Sequence, residues 1–323
     1  MQKLIGFIKN WTLPLAIAIG SCAYLTFYYV PILDKAGDRL LPFFESVLPV
    51  LVFLMLLFSF CRIDFRQMRL HKWHIGVLVG QIVLIGINVG IILWAKSRGD
   101  MSNALFSPLV WEAILTCVIA PTAAAASVVV GKLGGNVSTM TCFILLSSLV
   151  SALLIPIVFP ILEPSAAIGF LQAFITILTK VFVVLLLPLG LGWLLQRYAP
   201  TICTKLAAYP NLGFYCWSIT LSITTGLTIK NIMHSDSSLW VLLMIGLMTL
   251  LLSLFQFFMG RTIGRTLGEE VNAGQALFQK NTALSIWVSY LYLHPVASIG
   301  AGCYVLWQNI INAIELRYTR VKH

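Results

Sequence analysis

The sequence predicts an all-α membrane protein of ten transmembrane helices, arranged as two inverted five-helix repeats in which helices 4 and 9 are broken. Three observations predict this. Of the 323 residues, 59% are hydrophobic and 10% charged, against about 25% charged in a soluble domain. Apolar stretches of roughly 20 residues, long enough to cross a bilayer, recur along the whole chain. Two of them, the fourth and the ninth, carry a proline or a polar run inside the stretch.

The spans fall at roughly 12–30, 42–60, 74–94, 108–132, 137–161, 167–195, 211–229, 238–259, 273–293 and 296–316. Lys3 and Lys9 precede the first, no small-x-small cleavage site follows it, and Tyr28-Tyr29 reads as an interfacial pair. It is therefore expected to be a span and not a cleaved signal. Ten spans with a cytoplasmic N-terminus place fourteen of the 21 lysines and arginines inside. Five lie outside (Lys35, Arg39, Lys96, Arg98 and Lys230), and Lys180 and Lys280 fall within spans. This asymmetry is the one positive-inside sorting demands, with both ends cytoplasmic in a plasma (inner) membrane. The net charge of +10 then reads as loop lysine and arginine, with no nucleic-acid partner expected. Five spans per half, 1–161 and 162–323, start the second half on the opposite side, so a duplicated unit is inverted. The seven cysteines lie mostly within spans without a C-x-x-C pair and read as small packing residues.

In span 4, Pro121 removes a backbone hydrogen bond and clashes with the preceding turn. The small residues Thr122 to Ser127 follow and admit a close neighbouring backbone. A glycine-rich turn, Gly131 to Asn136, ends the span. In span 9, Gln279, Lys280, Asn281 and Thr282 are consecutive and polar. Neighbours about 100° apart cannot share one stripe, so the helix unwinds or is enclosed by protein and water. Lys280 lies about eight residues, or roughly 12 Å, from the inner end, a long way to snorkel. A charge at that depth persists where it meets a cavity or a partner. Two irregular helices at matching places in two halves point to a midplane site in a carrier, and the lysine with free half-helix N–H groups favours an anionic substrate.

Other features read as structural. Lys180 is expected to snorkel at the outer start of span 6, after an interfacial helix over 164–179. Gln308 and Asn309 are expected to face the break and satisfy its backbone. Ser147, Ser148 and Ser151 are expected to bond back to their own helix. His71 and His74 lack a carboxylate partner for a metal site. Glu112 reads as an interfacial carboxylate. An intramembrane enzyme is not expected, because the chain has no G-x-S-x-G, no H-E-x-x-H and no aspartate inside a span. A channel filter and the intramembrane aspartate of a cation antiporter are likewise missing, and a sensor would add a soluble output domain.

At these residues the chain resembles the bile acid:sodium symporter family over nearly its full length. The motifs are "PTAAAASVVVGKLGGNVS", "FQKNTALSIW" and "LWQNIINAIEL", with "FCRIDFRQM" after span 2 and Gln81 in span 3. The resemblance implies a panel of helices 1, 2, 6 and 7 and a core of helices 3–5 and 8–10, in which helices 4 and 9 cross. It implies alternating-access transport of an amphipathic organic anion, usually with sodium. Phe43, Phe44, Tyr215 and Trp217 would face substrate from the panel. Carried over residue by residue, the serine–asparagine pair of the family's first sodium site falls on Ala126 and Ser127. The hydroxyl positions fall on Met140 and Ile144, and the glutamate on Ala276 or, with a one-residue shift, Gln275. Of the second site, Gln81 matches, and the helix 9 glutamine is replaced by Lys280. Sodium needs several hard oxygen ligands, so the expectation is a carrier without bound sodium and without any other cofactor. In it the Lys280 ammonium replaces a cation and donates to Gln81 and nearby carbonyls. Two alternatives stay open: sodium coupling through altered ligands, and proton coupling through Lys280 or Glu112. Pro121, Thr122, Ser127, Gln279, Lys280, Asn281, Thr282 and Asn309 are the expected residues of the substrate site. Lipid and a small amphipathic organic anion are the expected partners.

Overall fold

A computed structural model describes residues 2–61, 69–98, 104–164, 169–207 and 212–322. They form α1 (Gln2–Tyr29), α2 (Pro31–Phe60), α3 (Lys72–Arg98), α4 (Pro108–Ile119), α5 (Ala126–Lys132), α6 (Val137–Leu162) and α7 (Phe170–Leu185). The chain continues as α8 (Leu187–Tyr198), α9 (Pro200–Ala207), α10 (Leu212–Met233), α11 (Leu239–Thr266), α12 (Glu270–Phe278), α13 (Thr282–Tyr292) and α14 (Ala297–Lys322). No strand occurs among the described residues, only one two-residue bridge.

Four helical stretches are long and apolar enough to cross a membrane: Lys72–Arg98, Val137–Leu162, Phe170–Tyr198 and Leu239–Thr266. Their radial polarity is that of a protein dissolved in lipid. On α3, Gln81 and Asn88 are buried while Val79, Ile82, Val83 and Ile87 are exposed. On α11, Thr249, Ser253 and Gln256 are buried while Leu243, Leu247, Leu251 and Phe255 are exposed. Lipid does not reward hiding leucine, and it penalises an unpaired amide, so polar residues turn inward.

Local chemistry sets the helix starts. Asn136 accepts from the amides of Ser138 (3.1 Å) and Thr139 (3.2 Å) to cap α6. Ser238 caps α11, and Asn281 caps α13 by accepting from the Leu284 amide at 3.2 Å. Pro108 opens α4, where a missing N–H costs nothing. Close helix contacts need glycine. A Cβ on Gly300 would lie 2.4 Å from the Ala113 carbonyl oxygen, joining α14 to α4. A Cβ on Gly264 would lie 2.5 Å from the Glu269 carbonyl, where Gly268 at φ +80° turns α11 back into α12.

The helices pack in two groups. One contains α1, α2, α8, α9 and α10; the other contains α3 to α6 and α11 to α14, and α7 touches both. Three details differ from the sequence reading. α1 and α2 begin at Gln2 and Pro31, well before 12 and 42, and α9 was not expected. α7 runs without a break from Phe170 through Lys180 to Leu185, so Lys180 lies ten residues into a helix and not at its start. The apolar residues around Lys180 continue one helical face, which removes the reason for a break there. Of "FCRIDFRQM", residues 62–68 lie outside the described residues.

Candidate functional site: two interrupted helices that meet

The stretches expected as spans 4 and 9 are both interrupted, and their interruptions touch. α4 stops at Ile119 and α5 starts at Ala126; α12 stops at Phe278 and α13 starts at Thr282. Thr122 and Lys280 form an antiparallel bridge. The Ala123 amide donates to the Gln279 carbonyl (3.0 Å), and the Asn281 amide donates to the Pro121 carbonyl (2.8 Å). Each unwound segment thus supplies the partner the other lost.

Many of the other groups freed at the break are also matched. At the end of α4, Ser285 donates to the Thr116 carbonyl and Ser151 to the Ile119 carbonyl at 2.7 Å. Gln81 Nε2 donates to the carbonyls of Val118 (3.0 Å) and Ala120 (3.2 Å). Lys280 Nζ donates to the same two carbonyls, each at 3.3 Å. The Thr122 amide donates to Ser147 Oγ at 3.0 Å, and Thr122 Oγ1 donates to the Ala276 carbonyl at 2.7 Å. At the end of α12, Tyr304 donates to the Phe278 carbonyl at 2.7 Å. Gln308 Oε1 accepts from the Lys280 amide at 3.0 Å, and its Nε2 donates to the Lys280 carbonyl at 3.4 Å. This accounting is what a broken helix in a dry interior requires.

The electrostatics follow from the same geometry. The last carbonyls of α4 carry the negative end of its dipole, and the ammonium of Lys280 sits against them. Lys280 is only 1% exposed. It is a charged C-terminal cap supplied by another helix. The expected bond from Lys280 to Gln81 is corrected: the two share acceptors, and neither donates to the other. Both groups are donors toward one pair of carbonyls, so they lie side by side.

Pro121, Thr122, Gln279, Lys280, Asn281 and Thr282 are all brought together and buried. Two expected members are not. Ser127 is bonded back to the Ala124 carbonyl at 2.9 Å in α5, and Asn309 to the Val305 carbonyl at 2.6 Å in α14. Gln308 occupies the place foreseen for the pair, since one helical step of about 100° separates the two side chains. Ser147 and Ser148 bond back to the Ile144 carbonyl of their own helix, as expected; Ser147 also accepts from the Thr122 amide, and Ser151 serves the α4 break instead.

Of the cation-site equivalents, Ala126, Met140, Ile144 and Ala276 are packed in one buried apolar cluster with Trp73, Val77 and Phe143. Gln275 lies elsewhere, in a polar chain that leaves the crossover. Gln279 Nε2 donates to Gln275 Oε1 (2.6 Å), and Gln275 Nε2 donates to Glu315 Oε2 (2.5 Å). Glu315 is paired with Arg261, and Arg261 with Glu270 at 3.4 Å. Glu270, beyond the spans, is held below the usual carboxylate range by its hydrogen bond to Arg265. Sequence reasoning missed this chain, although an arginine just past span 8 and a glutamate in span 10 near the same end were visible.

Near the other end, Lys96 pairs with Glu112 at 2.9 Å and with Glu163. Glu112 is buried, not interfacial, because α4 packs inside the helix bundle. His74 is buried and bonded to the Thr139 carbonyl at 3.0 Å. Of the aromatic residues expected to face substrate, Phe44 lines a 280 Å³ cavity between α1, α2 and α10. Phe43 and Tyr215 point outward, and the Trp217 side chain lies outside the described residues. The chain matches no protein-family model, and no curated protein matches it.

Proposed function

We propose that this chain is a secondary transporter that carries a small organic anion across a plasma (inner) membrane by alternating access. It does so on ten spans arranged as two inverted five-helix repeats, with both ends cytoplasmic. The observation that carries this reading is the crossover at Thr122 and Lys280. Unwound backbone at membrane depth is tolerated where protein or a water-lined cavity satisfies it, and paired interrupted helices in two halves mark the substrate region of many carriers. The resemblance to bile acid:sodium symporters supports the same reading.

Transport is independent of sodium. At the first family site Ala126, Met140, Ile144 and Ala276 carry no side-chain oxygen and lie in one apolar cluster, and the Ser127 hydroxyl is bonded back to the Ala124 carbonyl, so the set of hard oxygen ligands is missing. At the second, a tethered ammonium already binds the carbonyls of Val118 and Ala120. Uptake of labelled organic anions into proteoliposomes, with and without a sodium gradient, tests both statements. Uptake without sodium, lost in Lys280→Ala, is expected. A saturable sodium requirement would sink the sodium-independent mechanism, and no uptake of any anion would sink the carrier.

Proton coupling is the second reading, and one observation favours it. Glu112 is buried beside Lys96, and its Oε2 has no hydrogen-bond partner among the described residues. Uptake that does not respond to a proton gradient would exclude it, and an unchanged response in Glu112→Gln would remove Glu112 as the coupling group.

A further inference from the structure

Lys280 is enclosed and already donates to two carbonyls, so its charge is not offered to a ligand. Lys180 differs on each count. It lies inside α7, is exposed, and makes no ion pair among the described residues. Its ammonium stands 5.6 Å from the centre of the Tyr292 ring. It opens onto a cavity of 320 Å³ between α2, α7 and α10 on one side and α13 on the other. That volume is at the small end of ligand sites. Lys180 is the one cationic side chain on the wall among the described residues, and much of the rest is Pro42, Pro49, Leu227, Trp287 and Tyr290. The α13 wall begins at Ile286, one turn beyond Thr282 of the crossover.

We propose that Lys180 is the charge that recognises the transported anion, and that this anion is a small amphipathic monoanion. A single carboxylate or sulfonate head meets the ammonium, and a flat apolar body lies against Trp287, Tyr290 and the prolines. The described wall, Ser46 and Tyr290 included, offers no second cation to offset another charge, so dianions are rejected. A neutral analogue leaves the ammonium facing apolar surface and binds weakly. The assignment rests on the transport reading above and narrows its substrate class.

The test is equilibrium binding of labelled naphthoate to the purified full-length protein, with naphthol and naphthalene dicarboxylate as competitors. Naphthoate is expected to bind saturably and to outcompete both. Lys180→Gln is expected to weaken it roughly tenfold or more, and Lys180→Arg to keep most of the affinity. Lys180→Arg and an unchanged gel-filtration profile separate loss of charge from loss of fold. Naphthoate affinity unchanged in Lys180→Gln, equal binding of naphthol, or no saturable binding to the unaltered protein each overturn the assignment. Uptake separates it from the broader reading. Anion uptake at an unaltered rate in Lys180→Gln removes Lys180 and leaves the carrier standing. Naphthoate binding with no anion uptake by the unaltered protein removes the carrier and leaves the site.

Discussion

Two lysines sit within apolar helical stretches of this chain, and they have opposite surroundings. Lys280 enters a region where broken helices leave carbonyls without donors, and it is buried against two of them. Lys180 lies within the unbroken helix α7, and its ammonium is left to a cavity and a tyrosine ring. Depth in the sequence does not separate them. The supply of unmet acceptors does, and it divides a structural cation from one free to meet a ligand.

The contrast can be broken by substitution. Lys280→Ala is expected to have the largest effect, about 3 kcal/mol of lost stability together with loss of transport, because it removes packing and a shared donor from a dry site. The check is the thermal unfolding midpoint in detergent, and an unchanged midpoint would contradict the capping role. Gly300→Ala is expected to cost about 2 kcal/mol by forcing α14 away from the Ala113 carbonyl, which the same assay reads. Gln81→Leu leaves Val118 and Ala120 with Lys280 as their side-chain donor and is expected to cost about 1.5 kcal/mol. If Lys280→Ala combined with Gln81→Leu costs only the sum of the two, the lysine and glutamine do not share one load. Lys180→Gln is expected to change stability by less than about 0.5 kcal/mol while weakening anion binding. A large stability loss there would place Lys180 with Lys280 and erase the distinction.

Much of the crossover was legible in the sequence because its signals are local. A proline in an apolar run and four consecutive polar residues each report an interruption without knowledge of what lies beside it. What closes the crossover was not legible. Ser147, Ser151, Ser285 and Tyr304 are ordinary residues of continuous helices, and their partners at the break are distant backbone groups, an amide for Ser147 and carbonyls for the other three. A serine that bonds its own helix and one that bonds a neighbour look alike in one dimension. The choice of Gln308 over Asn309 turns on a single helical step. Lys180 was misplaced for a related reason: an apolar stretch long enough for an interfacial helix plus a span also fits one unbroken helix.

The attachment of the Lys280 ammonium to the chain has a thermodynamic consequence under the carrier reading. A dissociable ion delivers work because it enters from one side and leaves to the other. An ammonium on a side chain returns with the protein at the end of each cycle, so its electrochemical potential has the same value at start and finish. It can shape the resting field without powering accumulation. Unless a proton is coupled elsewhere in the cycle, a carrier so equipped equilibrates or exchanges its anion, and its direction is set by the electrochemical gradient of that anion.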